Sequence, residues 1–301
     1  MRKKILNPSF IYCVSTALSA IYINQLVTKL DPLVVLLICV VTSTFFFHLI
    51  NFGKLRVIYT NFFKTYQASI AINISAGILW VSTFVGLSII DPYIYMVIYF
   101  IVPSVIALVG EYSTNRNKMS LISGVSLFAI LIISIYLYIG EFTSRSVVYG
   151  VSIALVGGIS SYIYRIQAKS YSLKTESTTS MVLCVRSYGI ILICTSIIIF
   201  YPKNYSESMS MFFNAHTMTF LLVVVVLSFI VPLYFNQKGI EKSGAKIHSI
   251  ICASIPLLTL ILSEFGHNQY IKEETLKNYI LAVLITIFLT LPTFIRNSRA
   301  S

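Results

Sequence analysis

Nine stretches of this chain contain no charged residue: 5 to 28, 32 to 53, 65 to 90, 92 to 110, 119 to 140, 146 to 164, 208 to 237, 247 to 263 and 278 to 295. A tenth, Ser177 to Pro202, carries Arg186 as its single charge. A helix needs about 20 apolar residues to cross ~30 Å of hydrocarbon at ~1.5 Å per residue, so each stretch is a candidate span. Helices are the expected form, because backbone polar groups in lipid must be satisfied within the segment. With 57% of its 301 residues hydrophobic and 11% charged, against roughly 25% charged in a soluble protein, the chain has no water-soluble core. The expectation is an all-α integral membrane protein of ten transmembrane helices, with connections too short for an extramembrane domain.

A net charge of +12 invites a nucleic-acid reading, but the placement of the basic residues points to orientation instead. One side of the membrane receives Arg2, Lys3, Lys4, Lys54, Arg56, Lys64, Arg116, Lys118, Arg165, Lys169, Lys174, Lys238, Lys242, Lys246, Arg296 and Arg299. The other receives Lys29, Arg145, Lys203, Lys272 and Lys277. The bias alternates loop by loop, as the positive-inside rule requires, and places both termini in the cytoplasm. Met1 to Lys4 followed by an apolar run has the charge order of a signal peptide, with small residues at Ala17 to Ala20. An uncleaved first helix is expected, since its apolar run is longer than a signal core and its removal would reverse the fit of the loop charges. The five cysteines, Cys13, Cys39, Cys184, Cys194 and Cys252, all fall within candidate spans and form no metal spacing, which reads as packing.

The second half of the chain echoes the first. An offset of 153 pairs Pro103 with Pro256, Glu111 with Glu264, Gly86 with Gly239, Ile106 with Thr259 and Leu108 with Ile261. An offset of 137 pairs Tyr12 with Tyr149, Val14 with Val151, Ser15 with Ser152, Ala17 with Ala154 and Leu18 with Leu155. Internal repeats of this kind build many transporters. Five spans per repeat is an odd number, so the second repeat, 141–301, enters the membrane upside down relative to the first, 1–140.

These features resemble the drug/metabolite transporter superfamily, in particular its EamA-like family. The resemblance spans the chain and rests on the five-plus-five layout, on "IVPSVIALVGEY" with its repeat "SIPLLTLILSEF", and on Gly124 thirteen residues beyond Glu111. Lys29 matches the family's basic residue closing the first helix, and Arg186 its arginine in the seventh; in the first half Ile38 and Cys39 stand where a second arginine would be. The resemblance implies a secondary transporter of small organic solutes, often an exporter, with its substrate cavity among spans one, three, four, six, eight and nine.

Ionisable groups within the membrane are functional candidates by default. Arg186 lies about ten residues into its span and is expected to face the bundle. There it meets a carboxylate, carbonyls or an anionic substrate, or it fixes its helix by hydrogen bonds to carbonyls. Glu111 and Glu264 end their spans at opposite faces, a symmetry that favours scaffold or gate over proton coupling. His48 and His248, near span ends, are candidates for coupling, although packing is the commoner role of such a histidine. Trp80 falls in mid-span rather than at an interface and is expected to point inward. With Asn73, Tyr99, Tyr162 and Tyr234 it makes a candidate pocket, the alternative for each being packing between helices. Pro103, Pro232 and Pro256 lie within spans, where each frees a carbonyl; the pair Pro103 and Pro256 suggests symmetric gating. Ala154 with Gly158 and Gly157 with Ser161 read as close helix packing.

Enzyme motifs are absent: there is no HExxH, phosphate loop, GxGxxG or GxSxG, and Asp occurs only at Asp31 and Asp91. No cofactor or metal is expected. The leading reading is a carrier, not an enzyme, that moves a small metabolite by alternating access across the cytoplasmic membrane. Its partners are that solute and the lipid bilayer, not nucleic acid, with a homodimer as a conceivable assembly. The alternatives are a nucleotide-sugar antiporter, which would need basic pocket residues beyond Arg186, and a membrane scaffold or a lipid or glycan assembly protein on the same fold. Asn204-Tyr205-Ser206 is a glycosylation sequon on the non-cytoplasmic side of this arrangement.

Overall fold

A computed structural model describes residues 7–141, 145–200 and 214–266, with isolated positions 280 and 284. Among the described residues the chain is helical, without strands, and eight helices are long and apolar enough to cross a membrane. The architecture is that of an all-α, multi-pass membrane protein. The last candidate span, 278–295, and the sequon lie almost entirely or entirely outside the described residues.

Three helices begin on the same local device. Asn7, Asp31 and Asp91 each precede a proline, and each side chain accepts a backbone N–H of the next turn: Ser9 at 3.1 Å, Leu33 at 2.9 Å and Tyr93 at 2.8 Å. The prolines stand where a helix has no N–H partner to lose. These caps start α1 (Pro8–Val27), α2 (Pro32–Ile50) and α5 (Pro92–Asn115). Between α2 and α5 come the short α3 (Leu55–Lys64) and α4 (Tyr66–Leu87), followed after α5 by α6 (Lys118–Glu141) and α7 (Arg145–Thr175). The next span is broken into α8 (Thr179–Val185) and α9 (Tyr188–Phe200). Then α10 (Ala215–Val224) passes through a π-helical turn, Val225–Ile230, into α11 (Val231–Cys252), and α12 is Ile255–Gly266.

Several polar connections expected from the charge pattern are helical. Lys169 and Lys174 lie on α7, and Lys238, Lys242 and Lys246 on α11. Arg165, expected in a loop, is in α7 and only 1% exposed. The run Met218–Cys252 is 35 residues long, about 50 Å at ~1.5 Å per residue, which exceeds one bilayer crossing. It is interrupted at Gly244, whose φ of 79° and ψ of 158° no helix contains. The connection after α2 also holds structure, a 3-10 turn and then α3. The latter buries Ile58 and exposes Val57 and Phe63 beside Arg56 and Lys64, the pattern of a helix lying in a membrane interface.

The bundle is organised around α5. It packs on α6, α7, α11 and α12, and 78% of its apolar stretch is buried against 39% in α6. α1 packs on α11 and α12, and α4 on α7 and α9. Close approach is set by glycine: a Cβ at Gly157 would stand 3.0 Å from the Ser82 Cβ, and one at Gly158 would stand 3.1 Å from the Tyr99 carbonyl. That carbonyl is the one freed by Pro103, four residues on. Bands of exposed apolar side chains run down the outer faces, including Ile70, Ile74 and Ile78 on α4 and Ile122, Val125 and Phe128 on α6. Hydrocarbon, not water, suits such surfaces.

Candidate functional site

At the centre of the bundle is a cavity of about 40 Å³ lined by α1, α4, α5, α7, α11, the π-helical turn and the break between α8 and α9. Its wall includes Tyr12, Thr16 and Ser19 from α1, Trp80 and Thr83 from α4, Tyr99 and Phe100 from α5, Tyr164 from α7, and Ser228 and Asn236. Among the described residues, Arg186 is the one formally charged side chain of this wall. The space holds about a water molecule or two, well below the several hundred Å³ of a ligand pocket. Aromatic packing contracts it: Trp80 stacks on Phe229 with centroids 4.6 Å apart, and Tyr95 on Tyr99 at 5.5 Å.

Two larger cavities lie towards the ends of α5. One, of about 310 Å³, is lined by Asn24, Asp91, Tyr93 and Thr259. The other, of about 650 Å³, is lined by Glu111, Asn115, Tyr162, Lys169, Gly244 and Lys246. The N-terminal turn of α5, its middle and its C-terminal turn thus each border a cavity, and the middle one is the tightest.

Arg186 occupies the break between α8 and α9 and is 1% exposed. Its Nη1 donates to Tyr164 Oη at 2.7 Å, Tyr164 donates to Gln237 Oε1 at 3.3 Å, and Gln237 donates to Glu241 Oε1 at 3.3 Å. The nearest carboxylate on this path is therefore two neutral side chains away. The break itself is held by Asn73, which donates to the Val185 carbonyl at 2.8 Å and accepts the Gly189 N–H at 2.9 Å. Those two groups are i and i+4, the pair that an unbroken helix would join. The Asn73 amide has inserted between them, and Gly189 permits it, since a Cβ there would stand 2.9 Å from the Asn73 carbonyl oxygen.

A similar substitution of partners occurs at the π-helical turn. Pro232 has no N–H to offer that turn, and the Leu227 carbonyl accepts from Ser19 Oγ of α1 at 2.9 Å. Ser228, on the same turn, keeps its hydroxyl on the cavity wall.

Of the pocket residues expected from sequence, the structure brings Trp80, Tyr99 and Arg186 together on the central wall. It separates the other three. Asn73 spends its amide on the helix break, Tyr162 lines the cavity beside Glu111, and Tyr234 stacks under Lys238 with Nζ 5.2 Å from the ring centroid. Pro103 lies inside an unbroken α5, whereas Pro256 is the second residue of α12, after the turn that ends α11. The two prolines are therefore not equivalent: one frees a carbonyl within a helix and the other starts a helix. Glu111 is half-buried at the rim of the larger cavity; the side chain of Glu264 lies outside the described residues.

The histidines occupy two different networks. His48 donates from Nδ1 to the Thr44 carbonyl at 2.7 Å, and its Nε2 lies 2.9 Å and 2.8 Å from the hydroxyls of Tyr59 and Tyr188. This ties α3 to α2 and α9. His248 is fully buried between Ser9 and Asn236, with Nε2 2.7 Å from Asn236 Oδ1. Tyr95 stands in a related setting, donating to Thr83 at 3.2 Å. Each ring bonds the residue twelve positions before it and covers the glycine nine positions before it, Gly86 under Tyr95 and Gly239 under His248.

Sequence reasoning missed Tyr12, Thr16 and Ser19, although their spacing marks one polar face of α1. It also missed Arg165. That side chain donates from Nη1 to Ser249 at 2.8 Å and lies 5.9 Å from the centroid of Phe100, just behind the cavity wall. No protein-family model matches this chain, and no curated protein matches it either.

Proposed function

We propose that this chain is a secondary transporter that carries a small organic solute across the cytoplasmic membrane by alternating access, in the direction of export. The observation that carries the reading is the row of three cavities along α5, two wide at its ends and a contracted aromatic one between them. A passage closed at its centre is what an occluded carrier needs, and opening it requires parting the stack of Trp80 and Phe229. We assign the chain to the drug/metabolite transporter superfamily, EamA-like family, with ten spans in two inverted repeats, 1–140 and 141–301.

Two features support the repeat. The units of Thr83, Gly86 and Tyr95 and of Asn236, Gly239 and His248 are related by the offset of 153 and share their internal contacts. The same offset relates Leu79, Trp80 and Thr83 to Pro232, Leu233 and Asn236, all on the cavity wall. The interruption at Gly244 supports a ninth span that begins there and includes α12. The basic, amphipathic α3 fits the anionic cytoplasmic leaflet, which agrees with cytoplasmic termini. A single charge on the central wall among the described residues argues against the nucleotide-sugar alternative.

The test is exchange of labelled solute in sealed vesicles containing only the purified protein, across a panel of amino acids, nucleosides, sugars, polyamines and organic acids. Saturable exchange that Trp80→Ala alters is the expected outcome. Folded protein that exchanges nothing in the panel rejects the carrier reading.

A further inference from the structure

Nine buried side-chain polar atoms among the described residues have no hydrogen-bond partner, and four of them belong to the wall of the central cavity: Thr16 Oγ1, Trp80 Nε1, Arg186 Nε and Ser228 Oγ. Buried polar groups are normally paired, so each orphan calls for an explanation. These four come from four different segments of the chain and converge on one space. Trp Nε1 and Arg Nε can only donate, and the hydroxyls can donate or accept. The wall is therefore short of acceptors.

It is also short of negative charge. Arg186 reaches a neutral tyrosine, and Arg165 behind the wall reaches a serine while its Nε and Nη2 have no partner. Neither guanidinium is bonded to a carboxylate among the described residues. Two cations buried in a membrane bundle with no carboxylate bonded to them among the described residues are costly, and an anion in the cavity would supply both the acceptors and the charge. Beside Trp80 the wall is aromatic and aliphatic, with Tyr99, Phe100, Met96 and Leu79, and its other polar members, Ser19, Thr83, Ser161 and Asn236, are neutral.

We propose that the central cavity, enlarged from its contracted form when the stack of Trp80 and Phe229 parts, takes a small organic carboxylate with a compact apolar body, its negative group held by Arg186 and its body packed against Trp80 and Tyr99. This rests on the transporter reading and names its substrate class. An inside-negative membrane potential drives such an anion outward without a coupling ion, in keeping with export.

Trp80 is the sole tryptophan of the chain, so its fluorescence reports on the cavity directly. The purified full-length protein is titrated with benzoate and cyclohexanecarboxylate, and with benzamide and benzylamine as neutral and cationic counterparts. A saturable change with the carboxylates alone is expected, with Arg186→Gln weakening it about tenfold or more and Arg186→Lys weakening it less. The inference is overturned by an equal response to the amide or amine, by no response to any compound, or by unchanged carboxylate affinity in folded Arg186→Gln. The comparison among compounds uses the unmodified protein, so it stands even where a substitution prevents folding. Uptake of the same compounds into vesicles separates the two readings. Carboxylate binding without flux leaves the site and removes the carrier, whereas flux of the amine without carboxylate binding leaves the carrier and removes the anion.

Discussion

A methyl group added at Gly239 would stand 2.6 Å from His248 Nδ1 and 2.9 Å from Ser9 Oγ, and one added at Gly86 would overlap the Tyr95 ring. Neither ring has room to retreat, since both are fully buried. Gly86→Ala and Gly239→Ala are each expected to destabilise the purified protein by about 1–3 kcal/mol through overpacking. Gly53→Ala, with nothing within 4 Å of its Cβ, serves as the control, and thermal unfolding in detergent compares the three. Equal melting of all three variants contradicts the packing described. At this scale the sequence exposed Trp80, because a lone tryptophan in mid-span is out of place for an interface anchor. It concealed Arg165, because a charge at the end of an apolar run reads as the start of a loop. A buried arginine and a solvated one look alike until the helices packed around them are known.

The break between α8 and α9 is an element whose shape is decided by another element. Asn73 of α4 satisfies the Val185 carbonyl and the Gly189 N–H together, so removing its amide leaves two buried backbone groups unpaired. Asn73→Leu is expected to cost about 1–3 kcal/mol for each group and to shift Arg186, which stands between them in the chain. Asn73→Asp restores only the acceptor and is expected to recover only part of the loss. Thermal unfolding measures both variants; a melting temperature unchanged in Asn73→Leu rejects the inserted amide. The helix starts were more legible. Asn7-Pro8, Asp31-Pro32 and Asp91-Pro92 are local signals, complete within a few residues. Pro103 and Pro256 were not distinguishable in this way, since whether a proline kinks a helix or opens one depends on where the preceding chain turns.

At the scale of the molecule, the charge bias assigns Lys29 and Lys64 to opposite sides of the membrane. The five native cysteines are buried, so a cysteine placed at either exposed position reports alone. Lys29→Cys is expected to react with a membrane-impermeant maleimide in intact cells, and Lys64→Cys only after permeabilisation; the reverse pattern inverts the orientation. The apolar runs and the bias of basic residues are additive along the chain, each residue contributing its own transfer energy or charge, and so the sequence by itself determined a helical membrane protein and where most of its helices lie. The central wall is not additive. Thr16, Trp80, Arg186 and Ser228 are far apart in the chain and share a cavity only because α1 packs on α4 and on the π-helical turn, and α4 packs on α9 beside the helix break. Which polar groups find a protein partner, and which do not, is settled by that packing, so only the tertiary structure brings together the groups of the proposed anion site.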